Sequence, residues 1–317
     1  KGEAKYIDVL ERIIYNGFLA GVSLEGDKFF YVNPLAADGK TPFNQGQPER
    51  QPWFNCACCP VNVVRFLPSI PGYMYAVRNN TIYVNLFAQS KATIELDGRR
   101  VHIEQQTNYP WDGEVTILVR PERPGTLTLA IREPFYARSD ARPLPSDLYA
   151  YVDPDAGSAG GLILDTNRAG FFGVDETRRE DGYLIIRGYF DGERQLNFTI
   201  PMPIRRVVAH EKVEANRDRI ALERGPIVYC IEGVDHGGAI DGIVLPDSAE
   251  LTHEHRDNLL GGVTVLRGRA LLVSENAQGR RTARPIQLTA VPYYAWNHRG
   301  VGPMTVWIPR KPLNQSK

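Results

Sequence analysis

The 317-residue sequence is poor in cysteine, with four, and poorer in methionine, with three. It has no excess charge of either sign, since 37 Lys and Arg balance 37 Asp and Glu. No apolar run approaches the roughly 20 residues that span a bilayer. Each absence removes a class of function. A neutral balance provides no general attraction for nucleic acid or an anionic membrane, so neither is expected as a partner. Few cysteines, three of them clustered within four positions, do not make a disulfide framework, which spreads its pairs along the chain. The sequence runs from Lys1 straight into a helix-like opening and shows no signal peptide within itself. That opening reads as a fragment or processed boundary, so localisation is left open. With 43% hydrophobic and 23% charged residues, a packed core is expected.

What is present is the run Cys56-Ala57-Cys58-Cys59. Adjacent Cys58 and Cys59 make an awkward disulfide, and the cluster reads better as a metal or thiolate site. Cys230, inside the apolar run Pro226–Ile231, reads as a small buried hydrophobe.

Ile7, Leu10, Ile14 and Phe18 recur at helical spacing and predict a helix over 4–20. Glu11 falls on that stripe, where a carboxylate is costly unless it is paired, used or turned out to water. Residues 21–34 read as a hairpin turning at Glu25-Gly26-Asp27, with Lys28–Asn33 as its alternating strand. Residues 36–52, rich in Gly, Pro, Gln and Asn, read as a long surface loop. Past the cysteines, Pro60, Val61, Val64 and Leu67 give a short helical pattern ended by Pro68 and Pro71-Gly72. The cysteines therefore sit at a helix N-terminus, where amides and the dipole favour a thiolate.

From residue 73 the pattern becomes short alternating runs, among them 81–86, 92–96, 101–104, 115–119, 127–131, 182–187 and 196–200. Asp97-Gly98 is a hairpin signal. After Pro201-Met202-Pro203 a second series follows at 220–222, 227–229, 263–266, 270–273, 286–289 and 304–308. The fold class is mainly β, with a β-sandwich at 73–200 and a second at 201–317.

Trp53-Phe54-Asn55-Cys56-Ala57-Cys58-Cys59-Pro60-Val61-Asn62 resembles the signature of glycoside hydrolase family 127, the β-L-arabinofuranosidases and their close relatives. Tyr6–Arg12, Phe29–Leu35, Pro201–Arg206, Arg224–Cys230 and Pro292–Trp296 extend the resemblance, in the right order, over nearly all of the chain. The run Ile131–Tyr136 departs from it, because relatives carry a more apolar stretch ending in tryptophan there.

The resemblance implies the last helices and hairpin of an (α/α)6 catalytic barrel over 1–72, followed by the two β-sandwich domains. It implies a retaining glycosidase acting on a glycan that contains L-arabinofuranose or a related sugar. In the family the first cysteine of the adjacent pair is the nucleophile and binds zinc together with the second. Carried over, Cys58 is nucleophile and metal ligand, Cys59 is a ligand, and Glu11 and Tyr31 line the sugar pocket. Cys56 falls where the family has no principal ligand. The family's upstream glutamate and cysteine ligands, and its general acid/base, have no counterpart here. The expectation is that a barrel segment before Lys1 supplies them and that this chain alone is inactive. A homo-oligomer stays open.

Retaining glycosidases ordinarily use a carboxylate nucleophile. A cysteine with an ordinary pKa of about 8.5 would be mostly protonated at neutral pH, but zinc and a helix N-terminus both favour its charged form. Three other readings stand beside this one. A closed structural zinc knot wants spaced pairs rather than Cys-x-Cys-Cys. A cysteine protease or transferase needs a histidine base, and all six histidines lie in the β region. A non-catalytic β-sandwich module would bind glycan or pack on a partner domain. His253-Glu254-His255 reads as a solvated loop, and Trp296 and Trp307 read as core.

Overall fold

The computed structural model describes residues 2–152, 160–165 and 174–311, so parts of both expected β domains lie outside the described residues. The chain is mainly β and divides into two compact units. The first holds Lys1–Glu11, Phe66–Pro145 and Pro154–Pro203; the second holds Arg12–Arg65, Ser146–Asp153 and Ile204–Lys317.

The helix expected over 4–20 forms, but in three hydrogen-bonding patterns: α over Lys5–Arg12, π over Ile13–Phe18 and 3-10 over Leu19–Gly21. The switch has a local cause. The Asn16 side chain donates to the Arg12 carbonyl at 2.8 Å, the acceptor an α-helix would reserve for the Asn16 backbone amide. A side chain entering the ladder widens it. Asn16 also donates to the Pro226 carbonyl and accepts from the Val228 amide, at 2.8 and 2.7 Å.

The predicted apolar face is corrected. Ile7 and Leu10 are only half-buried, whereas Asp8 and Glu11 are buried. Both carboxylates meet Arg132, which is fully buried, at 2.7 and 2.5 Å. The charged run that departs from the family's apolar pattern is thus in the core and paired. Its neighbour Glu133 is also buried and accepts from Leu162 N–H and Arg179.

The first unit carries two five-stranded sheets. One contains Ser90–Leu96, Arg99–Thr107, Glu114–Pro121 and Arg194–Thr199; the other contains Thr81–Val84, Gly125–Arg132 and Tyr183–Phe190. Alternate residues are buried, as the pattern required: Val101 and Ile103 on one strand, Val115, Ile117 and Val119 on the next. Leu96 pairs with Arg99 across Asp97-Gly98, both with positive φ, which is the primed turn that suits strand twist. Val174–Glu180, a charged and exposed strand, pairs beside Tyr183–Phe190 and had no apolar alternation to reveal it.

In the second unit, ladders link eleven strands into one branched network. Arg219–Arg224 and Ile227–Glu232 run through it as buried strands. The runs expected at 263–266 and 270–273 are one strand, Val263–Glu275, paired with Arg281–Pro292. Gly268 does not break it; a Cβ there would stand 2.6 Å from a Leu251 methyl, so the glycine marks close approach of the neighbouring strand. That neighbour is Leu251–Arg256, which corrects the loop expected around His253-Glu254-His255. Tyr149–Tyr151 pairs with Ile204–Ala209 at one edge.

The expected strand Lys28–Asn33 is not formed. Val22 and Phe29 make one bridge, and Phe29 bridges Gln51. Side chains take the donors a ladder would need: Ser23 Oγ accepts from Asp27 and Lys28, and Asn44 accepts from Tyr31. Nor is 36–52 a plain surface loop. Ala36–Asp38 pairs with Pro303–Thr305, and Asn44 and Arg50 are buried.

Candidate active site

The site lies wholly within the second unit. A helix over Cys58–Phe66 begins on the cysteine run, and its first turn is closed by the Val61 amide on the Ala57 carbonyl at 3.2 Å. Pro60 in that turn loses no hydrogen bond, because the first amides of a helix have no internal acceptor. Cys58, the first helical residue, is exposed; Cys56 is exposed and Cys59 half-buried.

Three contacts surround the Cys58 sulfur. The Tyr31 hydroxyl stands 3.5 Å away, Cys59 Sγ 3.7 Å and Cys56 Sγ 3.9 Å. Cys59 Sγ is also 3.8 Å from the Tyr31 carbonyl. The Tyr31 ring meets Phe54 edge-on at 5.4 Å, and Phe54 is buried. The Tyr31 amide donates to Asn44 Oδ1 at 2.6 Å. Asn44, fully buried, donates in turn to the Phe29 and Glu49 carbonyls at 3.3 and 2.7 Å.

These contacts decide where a proton is lost. The Tyr31 hydroxyl, then the Cys59 and Cys56 thiols, stabilise charge on Cys58 and hold its pKa below the ordinary thiol value. Burial, then the hydrogen bond to Cys58, pushes the Cys59 thiol up. The hydrogen bond to Cys58 also raises Tyr31. Of the adjacent pair, Cys58 is therefore the first to lose its proton.

The pair also fits two corners of a zinc site. Zn–S bonds of about 2.3 Å at tetrahedral angles separate two sulfurs by roughly 3.8 Å. Cys58 and Cys59 stand 3.7 Å apart. Among the described residues no group of three or more His, Cys, Asp or Glu side chains is arranged to hold a metal ion.

Tyr31, Cys58 and Cys59 are thus brought together. Glu11 belongs to the first unit, where it is 3% exposed and accepts from Arg132 at 2.5 Å and from the Tyr109 hydroxyl at 2.9 Å. Arg132 and the Tyr109 hydroxyl both meet the same carboxylate oxygen of Glu11. Trp296 is core, stacked on Phe30 and Phe43. Trp307 stacks on Tyr149. Cys230 is fully buried. Asn44 was not legible from sequence, since nothing but its place in a polar loop marked it.

Comparison with known proteins accounts for most of the chain in three consecutive pieces. Residues 1–72 match the β-L-arabinofuranosidase family 127 catalytic domain, 81–202 the family 127 middle domain, and 204–309 the glycoside hydrolase family 127 C-terminal domain. A non-reducing end β-L-arabinofuranosidase of Bifidobacterium longum subsp. longum is 29% identical, over 97% of this chain and 45% of its own length. A solved family 127 β-arabinofuranosidase is 39% identical with a TM-score of 0.85, over 98% of this chain and 46% of its own. The family 127 β-L-arabinofuranosidase of Geobacillus stearothermophilus T6 is 36% identical with a TM-score of 0.81, over 98% and 47%. The chain thus spans about half the length of the relatives it matches.

Proposed function

We propose, because the chain belongs to glycoside hydrolase family 127, that it carries the nucleophile of a β-L-arabinofuranosidase acting with retention on terminal β-L-arabinofuranosyl residues of a glycan. One observation carries the reading: the exposed Cys58 sulfur at the head of a helix, with the Tyr31 hydroxyl at 3.5 Å. In the first displacement the Cys58 sulfur bonds to the anomeric carbon as the glycosidic C–O bond breaks. A carboxylic acid protonates the leaving oxygen. In the second, water gives a proton to that carboxylate and its oxygen displaces the sulfur. Two inversions give retention.

In this reading the acid/base carboxyl comes from a part of the longer protein outside these residues. Residues 1–72 form the end of the catalytic barrel, with 73–200 and 201–317 as the β domains. Cys58 and Cys59 hold zinc, with its remaining ligands from the same outside part. When bound, zinc would keep the thiols deprotonated and fix the direction of the sulfur. Tyr31 orients Cys58 and borders the sugar, its hydroxyl donating to sulfur both before attack and after release.

The test uses the longer protein that contains this chain. Cys58→Ala should abolish arabinose release while leaving the fold intact by circular dichroism. NMR of the first-formed product should show the β-anomer. Release at the unaltered rate by Cys58→Ala, or an inverted product, overturns the reading.

A further inference from the structure

The catalytic reading gives Cys56 no role, yet its sulfur stands 3.9 Å from Cys58 and both are exposed. We propose that Cys58 is a site of oxidation by hydroperoxides and that Cys56 is its resolving thiol, closing a reversible Cys56–Cys58 disulfide. The consequence for activity rests on Cys58 being the nucleophile; the disulfide chemistry does not.

Geometry selects the partner. Cys59 is nearer, at 3.7 Å. However, adjacent Cα atoms across a trans peptide are held about 3.8 Å apart, short of the roughly 4.4–6.8 Å that a disulfide requires. Both Cys58 and Cys59 are also in the first turn of the helix, which fixes their backbones. Cys56 precedes the helix, two positions from Cys58, where the chain reaches up to roughly 7 Å. Its backbone is outside the ladder, so it can supply the movement of about 2 Å that brings the sulfurs to bonding distance.

The reaction balances in two steps. The Cys58 thiolate attacks one oxygen of hydrogen peroxide; an S–O bond forms, the O–O bond breaks, and hydroxide leaves to take a proton from solvent. The Cys56 sulfur then attacks the Cys58 sulfenic acid. The S–S bond forms, the S–O bond breaks, and water departs with the Cys56 proton. The two sulfurs lose two electrons and the peroxide gains them. A dithiol reverses the change by exchange through a mixed disulfide. Without a resolving thiol, the sulfenic acid would proceed to the sulfinic acid, which dithiols do not reduce.

The experiment treats the metal-free, reduced 317-residue chain with stoichiometric hydrogen peroxide, alkylates it and reads the cysteine peptide by mass spectrometry. The expected product has lost two hydrogens, carries one alkyl group, on Cys59, and fragments as a Cys56–Cys58 loop that dithiothreitol opens. Cys56→Ser should give no loop and should accumulate a dimedone-trapped sulfenic acid and then sulfinic acid on Cys58. A Cys58–Cys59 loop, or an alkylated Cys56 beside an oxidised Cys58, overturns the proposal. Activity of the longer protein is a separate arm. If the loop forms while arabinose release continues undiminished, the disulfide stands and the catalytic reading fails.

Discussion

The Tyr31 hydroxyl and the Cys58 sulfur stand 3.5 Å apart, and the Tyr31 carbonyl reaches Cys59. One residue therefore touches both thiols, through a side chain that favours charge on the first and a carbonyl that accepts a hydrogen bond from the second. The adjacent cysteines are chemically unlike: the hydroxyl lowers Cys58, while burial, then the bond to Cys58, raises Cys59.

Tyr31→Phe should move the pH profile of Cys58 alkylation upward. A lowered thiol pKa places the thiolate at lower pH, and removing the leading cause of that lowering returns it toward the ordinary value. Iodoacetamide labelling of metal-free protein, read at Cys58 by mass spectrometry, measures this. A profile identical to the parent would mean that the hydroxyl does not act on the sulfur.

Asn44→Ala should have the same direction of effect without touching either thiol. It removes the acceptor for the Tyr31 amide and two bonds to backbone carbonyls. Leaving buried backbone groups unmatched costs about 1–3 kcal/mol. Urea denaturation should register that loss, and labelling at Cys58 should resemble that of Tyr31→Phe. An unchanged labelling profile would separate Asn44 from the site.

Arg132→Met should destabilise the first unit by about 3–5 kcal/mol, because it leaves Glu11 buried without its cation and Asp8 with Arg138 alone. Adding Asp8→Leu and Glu11→Leu to that variant should recover much of the loss. Denaturant midpoints of the single and triple variants decide it; a single variant as stable as the parent would show that the pairs are not holding the helix.

His298 sets an acid limit. Its Nε2 accepts the Leu24 amide at 3.0 Å, and Nδ1 lies 2.9 Å from the Ala295 carbonyl, so the neutral ring fits. Burial first, then Arg50, lowers its pKa below 6.5. The unfolded chain thus binds a proton at higher pH than the native one. The contribution is fully present above pH 6.5 and is lost as pH falls through the native pKa. His298→Gln should flatten thermal stability between pH 7 and 5; an equally steep decline would place the sensitivity elsewhere.

The sequence was informative where one local rule governed. Strands such as Glu114–Pro121 alternate because one face is buried, and Cys58 heads a helix because Pro60 and the spacing of Val61 and Val64 say so. It was less informative where a distant partner reverses a local rule. Glu11 on an apolar stripe was correctly a problem, but Arg132, its answer, lies far along the chain. Leu251–Arg256 carries no apolar alternation because its exposure is nearly continuous, and only pairing with Val263–Glu275 makes it a strand. Lys28–Asn33 alternates well, yet Asn44 and Ser23 take its amides. Hydrogen bonds from side chain to backbone leave little trace in hydropathy.

The short strand Tyr149–Tyr151 sits inside the residues that match the middle domain, yet it covers Ile204–Ala209 at the border of the second unit. Dissecting the protein at the tidy sequence boundary near 203 would therefore remove a strand from the piece it was meant to isolate. The liberated C-terminal piece would expose the amides and carbonyls of Ile204–Ala209 as a template for a second molecule to pair with. Self-association of that piece, relieved by adding back a peptide spanning 146–153, would be the mark of a domain whose last strand is stored in its neighbour's sequence.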